Sequence, residues 1–196
     1  MRRLLTKTAI FRRRPGAHGE SRFTRFATRA RFGLWRDRRG STAVEFAVIA
    51  LPFFGLIMGC LELAIVLVAG VSLDLAASKV SRELRTGQST KPTTSSAFIT
   101  KVCAEMAWLG SDCTSKMRAD VRTFTNFKMV TEAPNVIVNG EFTNLQYTAG
   151  GSSQIQLVRV YYPWRVVSPF MKPGLGALSS GEMVVSSTIV FRNEPF

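Results

Sequence analysis

Histidine is all but missing. The one imidazole in the 196 residues is His18. The chain beyond residue 40 therefore cannot build a Ser-His-Asp or Cys-His device, or a histidine-containing zinc site. Cysteine is scarce as well: Cys60, Cys103 and Cys113 include no Cys-x-x-Cys pair, which argues against zinc. Acidic residues number 13 against 26 lysines and arginines, and the shortage is local. Residues 1–39 hold thirteen Lys/Arg against two acids, Glu20 and Asp37, a surplus of +11. Residues 40–196 carry only +2. No nucleophile–base spacing, metal cluster or phosphate loop emerges. No catalytic residue, metal or cofactor is expected, and the chain does not read as an enzyme.

Charge itself is nearly absent from Ala43 to Val71, where only Glu45 and Glu62 interrupt an apolar run. About 20 helical residues cross a bilayer's hydrocarbon, so Phe46 to Leu67 suffices. A surface helix of a soluble protein needs a polar face, and residues 46–61 have none. The Lys/Arg-rich arm before this run, against Lys79, Arg82 and Arg85 after it, places the N-terminus in the cytoplasm and exports the C-terminal body. Arg22, Arg25, Arg29 and Arg31 alternate with Phe23, Phe26 and Phe32. This is the spacing of a short amphipathic helix on anionic lipid, and equally of a solvated tail. An arginine-rich, acid-poor arm also fits a mitochondrial presequence or a nucleic-acid tail. The run behind it favours a membrane anchor, with the lipid bilayer and no nucleic acid as partner.

Within the run, Pro52 removes one helical hydrogen bond and is expected to bend the segment. Gly55 and Gly59 place two small residues one turn apart, a helix-packing pattern. Cys60 is expected to be an inert buried thiol. Beyond the bilayer, Leu73, Ala77, Val80 and Leu84 continue a stripe at 4-3-4 spacing, and Gly87 is a stop signal. The predicted division is a basic leader over 1–40, a transmembrane helix over 41–70, its amphipathic continuation over 71–87 and an exported α+β domain over 88–196.

In that domain a second helix is expected from Ser95 or Ser96 to Gly110, with Phe98, Val102, Met106 and Leu109 on one face. Cys103 and Cys113 are expected to pair in an exported setting, closing a loop of about ten residues. Strands are expected over Met117–Phe127, at Val136–Val138 before the Asn139-Gly140 turn, over Gln154–Val167 and over Glu182–Arg192. Three or four short antiparallel strands would then have one protected face. The fold class is α+β: a long helix, membrane-spanning below and amphipathic above, packed with a second helix and a small antiparallel sheet.

Glu45 is costly in a membrane segment unless it is paired or shallow. Gly40 followed by Ser41-Thr-Ala-Val-Glu45-Phe46, after a basic leader and before an apolar helix, resembles a type IV prepilin processing site. More closely, RRGSTAVEFAVIALPFFGLIMGCLEL with AASKVSRELRTGQ resembles the TadE-like minor pseudopilins of tight-adherence (Flp-type) pili. The Leu-Pro within the helix and the later Glu62 belong to that likeness. The resemblance implies a pilin-like fold and cleavage between Gly40 and Ser41 by an inner-membrane prepilin peptidase. It also implies that Glu45 and Phe46 serve recognition or assembly with other pilus subunits and inner-membrane components. A leader of 40 residues is longer than the family's usual. An uncleaved single-pass protein whose exported domain binds a partner or ligand is the alternative reading. Residence in the membrane and incorporation into a fibre both stay open.

Overall fold

A computed structural model describes residues 40–169 and 171–196. The predicted basic leader and its amphipathic stretch lie outside the described residues, apart from Gly40. The chain divides into two units, residues 1–50 and 51–196. The described part of the first is the start of helix α1, Ser41–Arg85, which runs through Pro52 as one element. Apolar composition forms this helix, and backbone geometry ends it. The Gln88 N–H donates to the Glu83 carbonyl (3.2 Å) and the Gly87 N–H to that of Leu84 (3.4 Å). This is a Schellman turn with Gly87 at φ 63°, where a side chain would be strained. Arg82 and Arg85 in the last turn complement the negative end of the helix dipole.

In the second unit, one strip of α1 is buried. Ala69, Leu73, Ala76, Ala77, Val80 and Leu84 are each 3% exposed or less. The expected stripe is therefore the packing face. Its alanines let neighbouring elements approach closely, and each large apolar residue buried contributes about 1.5–3 kcal/mol. Helix α2, Ser95–Glu105, starts at Thr94, whose side-chain oxygen accepts from the Ala97 N–H at 3.2 Å. Phe98, Val102 and Met106 bury against the same core. Lys79 reaches Glu105 at 2.7 Å and Lys101 reaches Glu83 at 2.5 Å, lacing α2 to α1. A 3₁₀ turn, Ala107–Leu109, leads to Gly110, which takes positive φ. Cys103 is disulfide-bonded to Cys113 at the start of the short helix α3, Cys113–Lys116.

Three antiparallel strands form the main sheet in the order β1-β4-β5, with β1 Arg118–Phe124, β4 Ile155–Trp164 and β5 Met183–Arg192. Ala119 pairs with Val160 and Val121 with Val158, and all four face the common core. Between β1 and β4 lie α4, Lys128–Thr131, and a small hairpin of β2, Ile137–Val138, and β3, Glu141–Phe142. Asn139 and Gly140 turn that hairpin with positive φ, the chemistry the Asn-Gly pair signalled. The last short helix is α5, Lys172–Leu175. The whole is α+β and pilin-like: a long N-terminal apolar helix packed against a small antiparallel sheet and short helices.

The sheet differs from the sequence expectation in one respect: where β1 and β4 pair both faces are protected, while β5 keeps Ser186 and Thr188 exposed. On the rear, Asp120 is fully buried opposite Arg159. Its carboxylate accepts from Arg122 Nε (3.0 Å), Arg159 Nη2 (2.7 Å) and the Gln146 N–H (2.9 Å). Arg122 also donates to the Asn144 carbonyl at 2.5 Å. The Phe142 ring stands 5.7 Å from that of Tyr161. The excursion between β1 and β4 thus covers the rear of these two strands and supplies backbone partners to their ions. Burial pushes the Tyr161 phenol pKa up, with Arg159 and Arg122 opposing and Asp120 reinforcing the rise. Burial alone raises that of Tyr147, which donates to the Pro92 carbonyl at 2.8 Å.

Asp120→Ala leaves two guanidinium groups without their shared carboxylate and is expected to cost about 3–5 kcal/mol, read from chemical denaturation followed by the fluorescence of the α+β body. Cys103→Ser with Cys113→Ser is expected to cost about 2.5–3 kcal/mol by loop closure. A variant as stable as the parent would show that the cross-link adds nothing.

Candidate functional site: the lower face of the long helix

Gly40 immediately precedes α1, and Ser41 is its first residue, so the predicted scissile bond sits at the helix start. Glu45 follows in the second turn and is exposed. Phe46 beside it is 71% exposed. The large apolar residues after it, from Val48 to Met58, stay mostly exposed, with Ile57 only partly covered. This helix is long and apolar enough to cross a membrane.

From Leu51 upward, Pro52, Gly55, Leu56, Leu63 and Met171 line an apolar groove of about 520 Å³. Pro52 is exposed, Gly55 half-buried and Gly59 buried. A Cβ added at Gly55 would meet nothing within 4 Å, so no described neighbour requires glycine there. Cys60 is free and exposed, not buried as the sequence suggested. It lines the same groove as Gly59 and Met171.

Glu62 is the residue whose role the sequence left open. It is only 9% exposed. One carboxylate oxygen accepts from the Val167 N–H at 2.5 Å, and the other from the Ser168 N–H at 2.9 Å. The stretch after β4 therefore folds back along α1 and presents two successive backbone donors to one carboxylate. Charge-assisted bonds of this kind are about twice as strong as neutral ones. A signal for this contact exists in the sequence. Stepping down the core stripe from Leu73 by helical intervals reaches Ala69, Val66 and then Glu62. What sequence cannot supply is the partner, 105 and 106 residues away.

The predicted residues thus fall into two groups: Gly40, Ser41, Glu45 and Phe46 at the helix start, and Pro52, Gly55 and Gly59 along the groove. Cys103 and Cys113 serve the core of the α+β body. Among the described residues, no group of three or more His, Cys, Asp or Glu is placed to hold a metal ion.

Glu62→Ala leaves two N–H groups without an acceptor and is expected to destabilise the segment after β4 by about 1–3 kcal/mol. Hydrogen exchange at Val167 and Ser168 should accelerate, and trypsin should cut faster after Arg165. Glu62→Gln, which keeps one acceptor oxygen, should fall between parent and Ala. Unchanged exchange in the Ala variant would mean the clamp holds nothing in solution.

A family model for TadE-like protein matches residues 40–82, the segment from the Gly40–Ser41 junction to the upper stripe of α1. No curated protein and no solved structure matches the chain.

Proposed function

We propose, from the match of residues 40–82 to a TadE-like family model, that the chain is a membrane-inserted minor pseudopilin of a tight-adherence pilus system. In this reading a prepilin peptidase processes it after Gly40. The family is a pilus-associated, pilin-like one. The observation that carries the finer reading is positional. Gly40 and Ser41 stand at the mouth of a continuous apolar helix, inside the matched segment, with Glu45 fifth from the cut. Removal of residues 1–40 deletes the +11 arm and leaves an α-amine on Ser41, about 6 Å of helix rise before Glu45. In a low-dielectric assembly, the carboxylate of one subunit and the amine of another favour a single register.

The helix also offers apolar surface outside its own core. Leu67, Val71 and Leu75 recur every fourth residue and are each more than 60% exposed. Together with the Gly55 groove, this strip is suited to neighbouring pilus subunits or inner-membrane assembly components. The N-terminus lies in the cytoplasm, the helix spans the inner membrane once and the body from residue 88 is exported.

Expression with an active prepilin peptidase should yield a membrane-fraction protein whose first residue is Ser41. Gly40→Leu should abolish that product. Recovery of intact Met1, or a cut elsewhere, overturns processing at this site. Glu45→Ala should still be inserted in the membrane but should lose crosslinking to other subunits through the helix start. Undiminished crosslinking would leave Glu45 no part in assembly.

A further inference from the structure

We infer that the turn after β4 is a membrane-seated element: Val167, Pro169 and Met171 rest in the outer leaflet beside α1, and Glu62 sets their depth. This inference rests on the membrane-spanning reading of α1. A bilayer's hydrocarbon takes about 20 helical residues. The apolar run that suffices to cross, Phe46 to Leu67, ends five residues above Glu62. Glu62 therefore lies in the outer part of that run. Met171 shares a groove with helix residues from Leu51 to Leu63, all of them within the run. The body thus reaches down past its own clamp, into the depth occupied by acyl chains.

The chemistry of the turn fits that position. Val167 is 76% exposed although it is aliphatic, whereas the adjoining Val166 is buried. Exposed Arg165 and Lys172 flank the apolar tip. Long basic side chains there can extend their charges to anionic headgroups while their stems lie along lipid.

Backbone near hydrocarbon must satisfy its donors within the protein. Here the Val167 and Ser168 N–H groups go to Glu62. Those of Met171, Gly174 and Gly176 go to carbonyls of Ser168, Met171 and Lys172. Pro169 and Pro173 have no N–H to satisfy. The carboxylate that would otherwise be a liability in the span becomes the acceptor that lets the turn enter the leaflet.

The test uses the full chain with Cys60→Ser, leaving the disulfide intact. Single cysteines are introduced by Val167→Cys, by Ser152→Cys on an exposed loop, or by Val48→Cys in the helix. Each is labelled with an environment-sensitive fluorophore and reconstituted into phosphatidylcholine–phosphatidylglycerol vesicles carrying spin-labelled acyl chains. Quenching at 167 is expected to exceed that at 152 several-fold, with 48 also quenched. Adding Glu62→Ala should reduce quenching at 167 by roughly two-fold or more as the turn is released. Quenching at 167 no greater than at 152, with 48 quenched, overturns the inference and spares the spanning reading. A turn that contacts another protein instead of lipid gives that result. Quenching at 167 unaffected by Glu62→Ala overturns the role given to Glu62. No quenching at 48 overturns the spanning reading and the inference with it.

Discussion

One narrow strip of α1 has to bury itself, and the α+β body is built to let it. Ala69, Ala76 and Ala77 keep the strip shallow, while Leu73, Val80 and Leu84 fill the space under the sheet. The sheet alone would not close this core. Phe98, Val102 and Met106 of α2 complete it from the side, and the bond between Cys103 and Cys113 ties the end of α2 to the approach to β1. Apolar area is the driving term. The ion pairs between α1 and α2 are mostly exposed and mainly fix register.

Polar groups are handled differently at the two ends of the sheet's environment. Behind the sheet, Asp120 is matched by two arginines and by backbone from the excursion that covers it. Below the sheet, Glu62 ends an apolar strip and is met by main chain at hydrogen-bond distance. It takes two main-chain N–H groups. Backbone donors are fixed in place by the fold and need no long side chain to be ordered. A carboxylate satisfied this way can sit close to hydrocarbon, where a lysine or arginine would pull toward water.

The elements with a strong local signal were legible in the sequence. The 4-3-4 stripe and Gly87 gave the long helix and its end. Asn139-Gly140 gave the hairpin, and the apolar density of residues 155–164 gave the central strand. The helices at Cys113–Lys116, Lys128–Thr131 and Lys172–Leu175 were not legible, because four residues carry too little periodicity. The covered rear face was missed for another reason. Nothing in the local sequence around Asp120, Arg122 and Arg159 marks them as buried, and only the register that sets Asp120 opposite Arg159 brings them into one cluster. At the helix, Gly40, Ser41 and Glu45 are assigned by pattern alone. Glu62 was visible as an oddity, but its partners are backbone groups, which leave no residue-type signature.

Glu62, Ala69, Leu73, Ala77, Val80 and Leu84 share one azimuth of α1, so the body in residues 51–196 hangs from a single flank of its helix. Each residue of an α-helix turns the chain by about 100° as it rises 1.5 Å. A one-residue insertion or deletion between Glu62 and Leu73 would hardly change the height of the clamp. It would swing the carboxylate a quarter-turn or more away from Val167 and Ser168. The length of this segment is therefore an angular specification, and natural variation there should come in steps that restore the azimuth, three or four residues at a time.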